Sequence, residues 1–193
     1  MDLVYARHAP SPHAGVLGPI QEVERAFQLS RGVPRLEGWP SDAHFEMDDE
    51  FGIRLDDVMK CLGSLLVVSD TLRQFLEAEE VPDTEMLPVT LIDLKGRPVE
   101  APYYVVHSTH LPAALDAEGS GARFNKIKPD LVRSVERLVL RPEAVPSDRP
   151  LFRLHEYPKP VLFEAGLAER IEAEGFTGIA FVPIADFDRY SLL

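Results

Sequence analysis

Chemistry in this chain would have to come from its 32 acidic residues, 6 histidines and single cysteine. The histidines come in loose pairs. His107 and His110 bracket HSTH, His8 and His13 lie further apart, and His155 precedes Glu156. Zinc needs three or four convergent nitrogen or sulfur ligands, and its usual helical signature sets two histidines one turn apart around a glutamate. Here His107 closes an apolar run suited to a strand and His110 stands just before Leu111-Pro112, so that geometry is missing. The acidic runs are EMDDE, residues 46–50, and Asp56-Asp57. A calcium loop requires oxygen ligands at alternating positions, a central glycine and a terminal glutamate, and EMDDEFGIRLDD does not supply them. Paired carboxylates for general acid–base work are assembled in space, so spacing alone neither supports nor excludes them.

Nucleophile and phosphate motifs are missing too. The chain has no G-x-S-x-G elbow and no G-x-x-x-x-G-K-[ST] loop. Gly119 and Gly121, in EGSGARFNK, follow no clear strand and read as a flexible loop. Cys61 precedes an apolar run and reads as a small packed residue. Neither a catalytic nor a metal-binding set is expected, and no cofactor. A small hydrolase or transferase built on scattered carboxylates and histidines is the alternative, and binding of several clients would point to an adaptor.

The elements that must position these residues begin irregularly. Residues 1–60 are rich in Pro, Gly and His, with one short strand at LVYA and two helical turns at EVERAFQL, residues 22–29. Phe27, Leu36, Trp39 and Phe45 are expected to pack this region onto the rest. Regular α+β structure is expected over 61–193. LLVV (65–68) suits a buried strand, and Ser69 then caps a helix whose apolar stripe is Leu72, Phe75 and Leu76, with Pro82 blocking extension. Leu87, Val89 and Leu91 alternate in a strand, LKGRP turns around Gly96, and YYVVHS returns. SVERLVLRPE (134–143), LFRL and VLF read as further strands. A helix over 164–174 buries Leu167, Ala168 and Ile171, ends on Gly175, and leads to a last strand over 178–182. The predicted fold is α+β in one domain: a mainly antiparallel or mixed sheet with two or three packed helices and an irregular N-terminal region.

Charge narrows the partners. The net charge is −12, against 20 basic side chains. Binding nucleic acid or an anionic membrane needs clustered Lys and Arg, so neither is expected. A basic partner is the natural complement. There is no apolar run of membrane-spanning length and no basic start followed by an apolar stretch, which fits a cytoplasmic protein.

Several segments occur in a familiar order. They are Asp57-Val58, LLVVS opening a helix, PVTLIDLKG, YYVVHS, ALD (114–116) with Ser120, LVL (138–140), PLFRL and GFTGIAF. In these the chain resembles immunity proteins of bacterial polymorphic toxin systems, the family named after a Myxococcus xanthus immunity protein. The resemblance covers roughly residues 45–183. It implies a cytoplasmic, non-catalytic protein that neutralises a toxin encoded next door. It also implies structural roles for Ser69 as a cap, Asp116 in a turn, and Phe152 and Phe181 in the core. His107 departs from the pattern, which has an asparagine-like residue there. Many such toxins are nucleases with basic surfaces, and an acidic inhibitor would cover such a surface. The expected contact is the stretch holding Trp39, Phe45, Glu46, Asp48, Asp49, Glu50, Phe51, Asp56 and Asp57, with Glu77, Glu79 and Glu80 as a second acidic group.

Overall fold

The structure is a computed structural model that describes residues 2–188. The strands run in the order β1 (Leu3–Ala9), β2 (Val16–Leu17), β3 (His44–Glu46), β4 (Val58–Cys61), β5 (Leu66–Ser69), β6 (Thr84–Ile92), β7 (Tyr103–Ser108), β8 (Arg123–Phe124), β9 (Val132–Ser134), β10 (Leu151–Phe152), β11 (Leu162–Glu164) and β12 (Gly178–Pro183). Helix α1 (Asp70–Ala78) follows β5 directly, and α2 (Ala165–Glu174) follows β11 directly. The fold is therefore α+β and mostly sheet, with mixed pairing and two α-helices among the described residues.

Two sheets organise the chain. One has the order β2-β4-β5-β7-β6-β3, the other β10-β11-β1-β12, and β8 pairs with β9 as a separate ribbon. The outer strands of the six-stranded sheet meet. Leu17 bridges Met47, the Gly18 N–H donates to the Glu46 carbonyl, and the Asp48 N–H donates to the Val16 carbonyl. The six strands thus curl into a barrel, which removes most of an edge that would otherwise pair with other chains. Alternating side chains fill its interior: Leu17, Phe45, Met59, Val67, Leu87, Leu91 and Val105. The outward set, Val58, Leu66, Val68 and Val106, packs with Leu72 and Leu76 of α1 and with Leu167, Ala168 and Ile171 of α2. Ala6 and Phe163 of the smaller sheet complete that layer. Strand β5 is covered on both faces, which is why it reads as an unbroken apolar run rather than an alternation. The far face of the smaller sheet, with Tyr5, Phe152 and Leu162, lies under residues 114–138.

The expectations from sequence and the structure differ in four places. Residues 22–29 form no α-helix; a 3-10 helix spans Ala26–Ser30, and Glu22 and Arg25 take left-handed backbone angles. Two isolated turns do not repay helix nucleation, so local packing of Val23 and Leu29 onto the barrel decides the conformation. Residues 135–143 make no extended strand. Val135 and Leu138 are buried individually, while the backbone is tied by loop contacts such as Asp116 N–H to the Val139 carbonyl. Of the four aromatic and aliphatic anchors expected in the N-terminal region, Phe45 is buried and Trp39 half-buried, whereas Phe27 and Leu36 are exposed. That region carries β1, β2, β3 and most of β4 rather than one short strand. No helix among the described residues is long and apolar enough to cross a membrane.

Candidate functional site

Strand β3 ends at Glu46, and the chain then turns through Met47-Asp48-Asp49-Glu50 beside the β6–β7 turn. The parallel register pairs Glu46 with Ile92, which brings the acidic run against Asp93 and Leu94. Between them lies a groove of about 610 Å³ lined by Glu46, Asp48, Asp49, Glu50, Asp93 and Gly96. Its floor is Met47, held by a hydrogen bond from its N–H to the Ile92 carbonyl. The Asp48 carboxylate accepts the Glu50 N–H at 2.9 Å, which fixes the turn. Asp93 is different: it accepts from the Arg97 guanidinium and from the Arg97 and Lys95 N–H groups, and Arg97 pulls its pKa down to about 2. Glu46, Asp48, Asp49 and Glu50 have no ion-pair partner among the described residues, so the groove wall carries uncompensated negative charge. Phe51 and Ile53 follow at once and are 51% and 71% exposed. Large apolar side chains left in water beside a charged groove are characteristic of contact surfaces.

The other residues of the expected contact have different surroundings. Phe45 is wholly inside the barrel, so it supports the strip from beneath. Trp39 is half-buried, and its indole N–H donates to the Pro88 carbonyl at 2.7 Å, four residues of β6 away from the acidic groove. Asp56 is 1% exposed; it accepts the Ser11 N–H, and its own carbonyl accepts the Tyr103 hydroxyl. Asp57 is a structural tie. Its carboxylate accepts the Ser69 hydroxyl at 2.8 Å and both the N–H and the hydroxyl of Thr177 at 2.9 Å. It therefore joins β4, the cap of α1 and the start of β12. Glu77 pairs with Arg73 within α1. Glu79 pairs with Arg170 of α2 at 2.6 Å, and that guanidinium holds its pKa below the usual carboxylate value. Glu80, just beyond, is exposed in a left-handed turn. The structure thus brings Glu46, Asp48, Asp49, Glu50 and Phe51 to one surface and leaves the rest as supports or on the helix side.

Asp93 and Leu94 line the groove without having been singled out, and the exposed Ile53 follows the acidic run in the chain. Ile53 was legible as an apolar residue straight after the acidic run. Asp93 depended on the parallel register of β3 on β6, which no local pattern announces.

The histidines do not converge. His107 is buried in β7, where its Nε2–H donates to the Val33 carbonyl at 2.8 Å and ties the N-terminal loop to the barrel. An asparagine could make the same bond. Burial draws its pKa below 6.5, outweighing the Val33 carbonyl and the Glu85 carboxylate that favour its charged form. His155 is exposed, and its backbone N–H goes to the Pro112 carbonyl. Cys61 is buried with its thiol pushed up to about 11 by burial, which suits an inert packed residue. Among the described residues, no group of three or more His, Cys, Asp or Glu is placed to hold a metal ion.

Three of the segments that carried the resemblance, Asp57-Val58, LLVVS and GFTGIAF, meet at Asp57. Ser69 caps α1 by accepting the Leu72 N–H, and Gly178 passes so close to β4 that a Cβ would collide with the Val58 carbonyl. Asp116 accepts the Gly119 N–H in a turn, and Phe152 is fully buried. Phe181 stacks edge-on with Phe163. Comparison with curated proteins gives no match. The immunity protein family (Imm11) matches residues 6–186, nearly the whole described chain, and this protein belongs to that family.

Proposed function

We propose that the protein neutralises a cognate toxin by laying the acidic groove, together with the exposed Phe51 and Ile53 that follow it in the chain, against a basic surface of that toxin. Membership of the immunity family implies a cognate toxin as partner and supports a role in binding it. The observation that carries the choice of surface is the unpaired state of Glu46, Asp48, Asp49 and Glu50, against the paired state of Glu77, Glu79 and Asp93. A carboxylate already held by an arginine gains little from a second cation. Four crowded, unpaired carboxylates repel one another until an outside cation arrives. Two exposed apolar side chains beside them supply the dry contact that charge alone does not.

In this reading the toxin is a nuclease whose phosphate-binding surface is covered in the cytoplasm of the producing cell. The net charge of −12 steers encounter. No step of turnover is involved, and no cofactor. The test is co-expression with the product of the adjacent gene. Survival of cells that the neighbour alone kills, together with a stoichiometric complex, supports the reading. Death despite soluble expression of this chain contradicts it.

A further inference from the structure

Among the described residues Arg153 is the most deeply buried cation, 4% exposed, and no carboxylate there lies within ion-pair distance of it. Its guanidinium donates only to backbone carbonyls: those of Pro158 at 2.7 Å, Lys159 at 3.1 Å and Ser64 at 2.8 Å. A guanidinium has five N–H groups. The three bonds use both protons on Nη1 and one on Nη2, so the Nε–H and the second Nη2–H make no hydrogen bond among the described residues. Burial lowers the pKa of Arg153 to about 10. A buried charge that lacks a counter-charge is costly, and three carbonyl dipoles offset only part of that cost.

Arg153 also lines a cavity of about 380 Å³. Two more cations line it, Arg133 and Lys159, together with the hydroxyl-bearing Ser30 and Ser64 and the amide of Asn125. Neither Arg133 nor Lys159 is in an ion pair; Lys159 Nζ donates to the Arg133 carbonyl at 3.4 Å and stands 5.9 Å from the centre of the Tyr157 ring. Lys128 stands nearby over the Phe27 ring. In a chain of net charge −12, three unpaired cations around one cavity make a local positive field that the sequence average hides. The nearest carboxylate of that loop, Asp130, is taken by Arg31. The cavity shares no residue with the acidic groove. The antiparallel register of β5, β7 and β6 puts the Ser64 turn and the Asp93 turn at opposite ends of those strands.

We infer that this cavity is a binding site for a small phosphate-bearing anion, held by Arg153, Arg133 and Lys159, with Ser64 and Asn125 as neutral partners. A planar guanidinium with two free N–H groups matches two oxygens of a phosphate, and flanking point charges neutralise the rest.

Titration with inorganic phosphate, followed by amide chemical shifts at constant ionic strength, tests the site. The full chain should show saturable shifts at Ser64, Arg153 and Lys159. Arg133→Met/Lys159→Met removes two exposed side chains and leaves the guanidinium staple in place, so the fold is retained. That variant should bind phosphate at least about tenfold more weakly. Arg153→Lys, if folded, should also weaken binding, because it keeps the charge and loses the fork. Shifts that rise linearly without saturation, or equal affinities in the full chain and the double variant, would overturn the inference.

Discussion

At the scale of single residues, Asp57 shows how a carboxylate can read as surface charge and act as structure. Its three acceptor bonds join parts of the chain that are 12 and 120 residues away. Asp57→Ala leaves the Thr177 N–H and the Ser69 hydroxyl without their acceptor, and should lower stability by about 3 kcal/mol, the range for hydrogen bonds to charged groups. Chemical denaturation measures this, and toxin affinity of the folded fraction should stay unchanged. His107 gives a pH signature. Its pKa in the fold lies below 6.5, so above that pH both states are neutral and its contribution is complete. As pH falls below 6.5, the unfolded chain takes up a proton that the folded chain resists. Stability then declines until the folded value is passed. His107→Asn keeps a donor for the Val33 carbonyl and should flatten this part of the stability profile. An unchanged slope would show that other groups, such as the half-buried His8, account for it. The identity of such residues was legible in the sequence, but their roles were not, since a DD pair looks alike whether it faces water or Thr177.

At the scale of elements, several features are set by local sequence alone. The cap at Ser69, the alternation in β6, the stripe of α2 and the left-handed stop at Gly175 are set by neighbours within a turn or a strand. The failures came where tertiary contacts decide. LVL at 138–140 is apolar like a strand, yet it covers a sheet face as a loop, with Leu138 buried and its neighbours hydrogen-bonded to Ser120. Closure of the barrel through Leu17 and Met47 joins two segments too short to announce themselves. The start of β12 packs closely on β4. Gly178 has φ +86 and leaves no room for a Cβ beside Val58. Gly178→Ala should therefore cost about 3 kcal/mol, combining backbone strain with overpacking. A thermal melt reads this directly, and a change within a few tenths of a kcal/mol would mean that β4 and β12 separate more easily than their hydrogen bond, Val58 N–H to the Thr177 carbonyl at 2.9 Å, implies.

At the scale of the whole molecule, charge is the property that the sequence announces and the fold arranges. The average of −12 conceals a groove with four unpaired carboxylates and a separate cavity ringed by three cations. The acidic strip was legible as a run, EMDDE. The cation cavity was not, because Arg133, Arg153 and Lys159 come from three separate loop and strand ends. If the acidic groove meets the toxin, binding must weaken with salt, because exposed charges are screened beyond about 8 Å at physiological ionic strength. The decisive measurement is the affinity and association rate of the toxin from the adjacent gene for the native chain and for Asp48→Lys/Asp49→Lys/Glu50→Lys, at low and physiological salt. The account predicts that the triple reversal slows association by at least about tenfold and removes most of its salt dependence. Equal rates and equal salt dependence in both proteins would contradict it.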